Sequence, residues 1–168
     1  MEMRQIIPSD NPSLAKMIRD VFMEHNAPTE GTVFTDPTTD HLFELFGEKN
    51  SILWVAEENG QAIGCCGIYP TEGLPASCTE LVKFCLPQTL RGKGIGRKLM
   101  EKSIASPLSL GYSEMYIESL PDFSQAVRIY EQQGFIKLDE PMGESGHPGC
   151  NIWMKKELKQ HRAKDYFF

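Results

Sequence analysis

The chain has 168 residues, of which 40% are hydrophobic and 24% charged, as expected for one ordinary globular domain. Its net charge of −6 at pH 7 argues against a nucleic-acid partner, and no apolar run is long enough to span a membrane. The first residues, MEMRQIIPSD, lack the apolar core of a signal peptide, so we expect one cytoplasmic domain over residues 1–168, with no membrane partner.

The first half of the chain predicts a strand, two helices and a hairpin. MRQIIP is typical of a short strand, and residues 9–25 carry apolar side chains at helical spacing. A second, shorter helix is predicted over residues 36–50. The clearest signal is a hairpin within residues 52–70, where two β-rich runs meet at Asn59-Gly60.

The segment TELVKFCL, residues 79–86, alternates as a strand does. Strict alternation places its side chains on two faces: Leu81, Lys83 and Cys85 on one, and Val82, Phe84 and Leu86 on the other.

The second half alternates helices and strands. A helix follows the glycine-rich segment and is ended near Ser106 by Pro107, a strand covers 113–120, and a helix covers 121–135. Two final strands lie within the segments FIKLDE and CNIWMKKEL, and the tail 159–168 is expected to be peripheral, its aromatic end a candidate contact surface. The order predicts an α/β fold in which helices pack on a mixed sheet.

The cysteines do not predict a metal site. They are five in number and scattered, without a C-x-x-C pair, which is typical of small buried side chains: Cys65, Cys66, Cys78, Cys85 and Cys150. The segment HPGC, residues 147–150, holds at most half a metal site. We therefore expect no metal.

Charge is unevenly distributed along the chain. Residues 1–90 carry 5 Lys/Arg and 13 Asp/Glu, whereas residues 91–168 carry 12 and 10. This asymmetry has two alternative interpretations. One is ordinary solvated surface charge, and the other is a site in which the second half binds an anion and the first half meets a cationic partner.

The segment RGKGIG, residues 91–96, lies between a predicted strand and a predicted helix. It matches neither the phosphate-binding loop of nucleotide hydrolases nor the G-x-G-x-x-G fingerprint, because Arg97 stands where the third glycine would fall. The free N–H groups of a helix start, with cations around them, still favour an anion such as a diphosphate. A plain glycine-rich turn is the alternative.

Two motifs together resemble the GNAT-type N-acetyltransferase superfamily. RGKGIG matches its R/Q-x-x-G-x-G/A signature, and AVRIYEQQGF, residues 126–135, is similar to its later helix, A-x-x-L/I-Y-x-x-x-G-F. The resemblance covers nearly the whole chain. It implies a central, mostly antiparallel, twisted sheet flanked by helices, in a single acyl-CoA N-acyltransferase domain.

The resemblance also implies acetyl-CoA as cosubstrate. The backbone from Gly92 to Arg97 would hold its diphosphate, and the strand residues Phe84 to Leu86 would run beside its pantetheine, with a backbone amide polarising the thioester carbonyl. The residues expected to bind the cofactor are Phe84, Cys85, Leu86, Arg91, Gly92, Lys93, Gly94, Ile95, Gly96 and Arg97.

Acetyl transfer to an amine needs a base and an acid. The resemblance assigns Tyr130 as general acid for the departing thiolate. The alternative interpretation is that Tyr130 is an aromatic side chain of the core. Glu118 is the preferred general base and Glu80 the second candidate, while a water-mediated base or none remains open. Phe123 occupies the place where many relatives carry an asparagine that contacts the cofactor.

Two functions compete. The first is an N-acetyltransferase acting by direct transfer on a primary amine of a small molecule or peptide, with cationic acceptors mildly favoured by five acidic residues: Glu24, Glu30, Asp36, Asp40 and Glu44. The second is a non-catalytic CoA-binding sensor. His147 is a further candidate for the acceptor side, although a loop histidine beside Pro148 is more often structural. The sheet edge allows a homodimer.

Overall fold

The computed structural model describes residues 1–158; the predicted peripheral tail, 159–168, lies outside the described residues. The strands are β1 Glu2–Gln5, β2 Ile52–Glu58, β3 Gln61–Tyr69, β4 Cys78–Cys85, β5 Glu114–Ser119, β6 Ile136–Leu138 and β7 Ile152–Glu157. The helices are α1 Asn11–Glu24, α2 Leu42–Leu45, α3 Ile95–Ala105 and α4 Ser124–Gln132. This order confirms the predicted succession of elements.

All seven strands form one sheet in the order β1-β2-β3-β4-β5-β7-β6. Every neighbouring pair is antiparallel except β4 and β5, which run parallel. The fold class is therefore confirmed as a mixed α/β fold with a mostly antiparallel sheet. Within residues 1–158, no helix is both long and apolar enough to cross a membrane.

The β2–β3 hairpin turns at the predicted dipeptide. Asn59 has φ 52° and Gly60 has φ 78°. Two successive residues in the left-handed region are what a type I′ turn requires, and its twist matches that of the flanking strands. The Asn-Gly pair therefore sets the register of the hairpin locally.

The sheet separates two apolar cores. On one face α1 and α2 pack against β2 and β3 through Leu14, Leu42 and Val55, which are fully buried. On the other face α3 and α4 pack through Leu99 and Val127, among others.

The predicted alternation of β4 is wrong at Lys83. The pairing register of β4 with β3 shifts between Cys65 and Gly67 of β3, and Lys83 has φ 57°. This bulge reverses the side-chain alternation that follows it. As a result Leu81 packs on the same core as Phe84 and Leu86, in contrast to the strict pattern.

Candidate functional site

A wedge opens between β4 and β5. The two strands pair only from Cys78–Glu80 to Glu114–Tyr116, after which β5 continues its ladder with β7 alone. The bulge at Lys83 bends β4 at the same level. Between the diverging ends lies a cavity of about 410 Å³, also lined by α1, the glycine turn and α4.

The glycine turn, residues 91–96, lies at one end of this cavity. Gly92 and Gly94 have φ 79° and 80°, and a Cβ at either would meet nothing within 4 Å. Glycine is needed there for its backbone conformation, and the space above the turn is open. At Gly96 a Cβ would lie 3.3 Å from Cζ of Phe84, so this glycine lets α3 approach β4 closely.

The start of α3 offers free backbone donors toward the cavity. The first intrahelical bond runs from Lys98 N to Gly94 O, over 3.1 Å. The preceding N–H groups, including those of Gly96 and Arg97, have no backbone acceptor within the part of the chain that is described. Since both residues line the cavity, the helix start fits an anionic group such as a diphosphate.

Arg91 is held by the protein itself. Its guanidinium donates to both carboxylate oxygens of Glu24 over 2.8 and 2.9 Å, and its Nε donates to Leu86 O over 3.1 Å. This pairing ties the glycine turn to the end of α1. Arg97, which is largely exposed, donates to Glu101 over 2.8 Å.

Eight of the ten residues predicted to bind the cofactor line the cavity: Phe84, Cys85, Leu86, Arg91, Gly92, Gly94, Gly96 and Arg97. The other two, Lys93 and Ile95, do not. Lys93 is exposed and Ile95 is buried beneath the turn, so any contribution of Ile95 comes from its backbone.

Tyr130 lines the cavity from α4 and is only 6% exposed. Its ring packs against Phe84 and Phe135, each with a centroid separation of 6.1 Å. Burial raises the pKa of the Tyr130 phenol above its usual value of 10.0, so the hydroxyl stays protonated at neutral pH. It is therefore a proton donor set in an apolar wall.

Glu80 and Glu118 both line the same cavity. Burial raises the pKa of Glu80 to about 7; the charge of Glu118 adds to this, and the hydroxyl of Thr71, donating over 2.7 Å, opposes it. Burial also raises the pKa of Glu118, which accepts a hydrogen bond from Ser145 over 2.9 Å. The structure thus brings together both predicted base candidates.

Two loops that contribute to the cavity wall, through Val33 and through His147 and Cys150, are bonded to each other. Gly149 N donates to Gly31 O over 2.8 Å, and His147 Nε2 lies 2.7 Å from Asp36 Oδ2. Burial alone would raise the pKa of Asp36, but hydrogen bonds from Thr38 and His147 hold it at about 2. His147 is therefore engaged with Asp36 at the edge of the cavity.

The acidic residues expected to attract a cationic acceptor are mostly paired within the protein. Glu24 binds Arg91, Asp36 contacts His147, Asp40 binds Arg19 and Glu44 accepts from Asn11. Two of these partners, Arg91 and Arg19, are cations that offset the charge of Glu24 and Asp40. The preference for cationic acceptors stays a prediction.

Sequence reasoning missed several residues of the cavity wall. Phe123, which the sequence marked only as a departure from the family motif, packs against Phe22 and His25 with centroid separations of 5.1 Å, at the rim between α1 and α4. Cys150 and Lys83 line the wall as well. A lysine within the otherwise apolar segment LVKFCL was the available signal for Lys83.

Within residues 1–158, no three His, Cys, Asp or Glu side chains are placed to hold a metal ion.

Comparison with known proteins relates the chain to one family. Residues 18–135 match the family described as "Acetyltransferase (GNAT) family". The chain is 31% identical over 157 residues to the uncharacterised N-acetyltransferase YjgM of Escherichia coli (strain K12), covering 93% of this chain and 94% of that protein.

Solved structures share the fold. A GNAT-family acetyltransferase of Staphylococcus aureus Mu50 superposes with a TM-score of 0.81 at 19% identity, covering 94% of this chain and 99% of that one. A phosphinothricin acetyltransferase from Sinorhizobium meliloti, solved in complex with acetyl-CoA, gives a TM-score of 0.73 at 18% identity, covering 94% of this chain and 88% of that one.

Proposed function

Because the chain belongs to the acetyltransferase (GNAT) family and is an acetyltransferase, we propose that it moves the acetyl group of acetyl-CoA directly to a primary amine of a small molecule or peptide, with both substrates bound together. The observation that carries this proposal is the wedge between β4 and β5. One cavity there contacts the glycine turn, a buried tyrosine and two carboxylates.

Acetyl-CoA supplies an activated acyl group as a thioester. The residues that would hold it fit its chemistry, since the start of α3 offers free N–H groups and the left-handed glycines leave the space above the turn open. The edges of β4 and β5 that face each other beyond Glu80 have no strand partner there and offer backbone groups to an extended chain.

The carboxylates would take the proton of the amine. An amine with a pKa near 10.4 is only about 0.04% neutral at pH 7, so transfer needs a nearby base. Glu80, with a pKa of about 7, is matched to that task near neutral pH. Glu118 lines the same cavity and becomes the second candidate for the base, so the order proposed here is the reverse of the one drawn from sequence.

Tyr130 would return a proton to the leaving sulfur. As the nitrogen–carbon bond forms and the carbon–sulfur bond breaks, the amine proton passes to a carboxylate and the thiolate takes one from the phenol. The raised pKa of Tyr130 keeps the phenol protonated at neutral pH, so the proton is present when the sulfur departs. Because a phenol is a weaker acid than a thiol, the phenolate that forms takes back a proton from the carboxyl group that received the amine proton. The aromatic rim of Phe22 and Phe123 helps to exclude water.

A thiol-release assay tests the proposal. The purified protein is incubated with acetyl-CoA and a panel of amino acids, polyamines, aminoglycosides and peptides, and free thiol is followed against controls without acceptor. We expect acceptor-dependent release and calorimetric binding of acetyl-CoA. Absence of acetyl-CoA binding would overturn the proposed cofactor site, and binding without turnover of any amine would count against amine transfer.

A further inference from the structure

Lys83 occupies a backbone conformation that lysine rarely adopts. Four non-glycine residues have a positive φ within residues 1–158, and the other three are asparagines, which tolerate the left-handed region well. The thiol of buried Cys65 donates to Lys83 O over 3.1 Å and helps to hold this conformation. Strain of this kind persists where the surroundings enforce it, and it is frequent at ligand sites.

The Lys83 side chain lines the cavity and lies mostly out of solvent. Burial lowers the pKa of its ammonium, whereas Asp36 and Glu80 oppose that change. Within residues 1–158, the Lys83 ammonium has no hydrogen-bond acceptor and no carboxylate oxygen within 4.0 Å. Ten ion pairs of other residues in this range do meet that distance. Lys83 is half-buried, so a cation there without a direct counterion is available to pair with an anionic group of a ligand in the cavity.

Lys83 and Glu80 lie on β4 and Glu118 lies on β5, so all three belong to the part of the cavity wall that these two strands form. The carboxylates whose charge acts on the Lys83 ammonium are Asp36 and Glu80, whereas burial raises the pKa of the neighbouring thiols of Cys65 and Cys150 and keeps them neutral. None of them belongs to the glycine turn or to α4, where the cofactor diphosphate and Tyr130 are placed. An anion that pairs with Lys83 would therefore come from the acceptor.

We propose that the acceptor is an amine that also carries a carboxylate, and that Lys83 binds this carboxylate while Glu80 and Glu118 face the amine. This inference rests on the proposed function and names the substrate class for the same site. The arrangement of one cation and two carboxylates in one cavity is complementary to a zwitterion of the amino-acid type. A polyamine would instead bring a second cation toward Lys83.

Matched acceptors test the inference in the wild-type protein. Free α-amino acids and dipeptides are compared with their carboxamides and with the corresponding amino phosphonates in the thiol-release assay. We expect kcat/KM to be about 10- to 100-fold higher for the carboxylates than for the amides, mainly through KM. Equal or faster turnover of the amides would overturn the inference and leave the proposed function standing, and a preference for phosphonates would also overturn it.

Two variants of Lys83 separate its charge from its conformation. Lys83→Asn removes the cation but tolerates a positive φ, and it should erase the preference for carboxylates while acetyl-CoA binding stays within about twofold. Lys83→Arg keeps the charge and should retain most of the preference. Lys49→Met, at an exposed lysine outside the cavity wall, is the matched control and should behave as wild type.

Direct binding completes the test if turnover is too slow to measure. Each carboxylate is titrated calorimetrically into the protein loaded with CoA, as wild type and as Lys83→Asn. Binding that is weakened at least about tenfold in the variant supports the inference. A carboxylate preference that survives Lys83→Asn, or no carboxylate binding to the wild type, contradicts it. Failure of acetyl-CoA to bind would instead count against the proposed function.

Discussion

Replacing Glu80 with glutamine should stabilise the protein at neutral and alkaline pH while lowering its activity. The carboxyl is 5% exposed, and burial raises its pKa from 4.5 to about 7. Each pH unit between those values corresponds to about 1.4 kcal/mol, so ionised Glu80 costs the folded state about 3 kcal/mol at pH 8. Glutamine has nearly the same shape and can still accept the Thr71 hydrogen bond.

The pH dependence fixes the sign of this effect. Because the folded-state pKa of Glu80 is raised, its stabilising contribution is complete below pH 4.5 and is lost as the pH rises through about 7. The difference in unfolding free energy between Glu80→Gln and wild type should therefore be close to zero at pH 4. It should rise by about 1.4 kcal/mol per pH unit and level off near 3 kcal/mol at pH 8.

Urea unfolding of both proteins between pH 4 and pH 9 measures this difference, with kcat measured on the same samples. The plateau corresponds to a rise in Tm of about 6–12 °C at pH 8. Glu58→Gln, at an exposed carboxylate, is the control and should stay within about 0.5 kcal/mol of wild type at every pH. A pH-independent difference, or a glutamine variant less stable than wild type at pH 8, would refute the reasoning.

Three further changes probe the rest of the site. Tyr130→Phe should lower kcat about 100-fold with acetyl-CoA affinity within twofold by calorimetry, and unchanged kcat would remove this phenol from the mechanism. Arg91→Glu should weaken acetyl-CoA binding and, by facing Glu24, also lower stability; adding Glu24→Arg should restore the urea midpoint but not the binding. Asp36→Asn should cost about 1 kcal/mol of unfolding free energy at pH 7, because hydrogen bonds outweigh burial and lower the carboxylate pKa to about 2. That difference should fade as the pH falls from 3.8 toward 2, and a constant difference would contradict it.

The sequence by itself determined those structural features that depend only on residues adjacent in the chain. Asn59-Gly60 specifies its hairpin because a type I′ turn needs two residues that accept positive φ. The RGKGIG segment likewise specifies an anion-binding turn locally, because the glycine conformations and the free N–H groups of the helix start both arise within a few residues. Together with Tyr130 these local patterns were sufficient to name the family and to predict the order of the strands and helices.

Only the tertiary structure decided which charged groups remain available to a ligand. Arg91 meets Glu24 and His147 meets Asp36 across 67 and 111 residues of chain, and no local pattern encodes such partners. The bulge at Lys83 arises from the register of β4 on β3, so strict alternation placed its neighbours on the wrong faces. Divergence of β4 from β5 then leaves Glu80, Glu118 and Lys83 in one cavity, because side chains far apart in sequence converge only where the sheet opens.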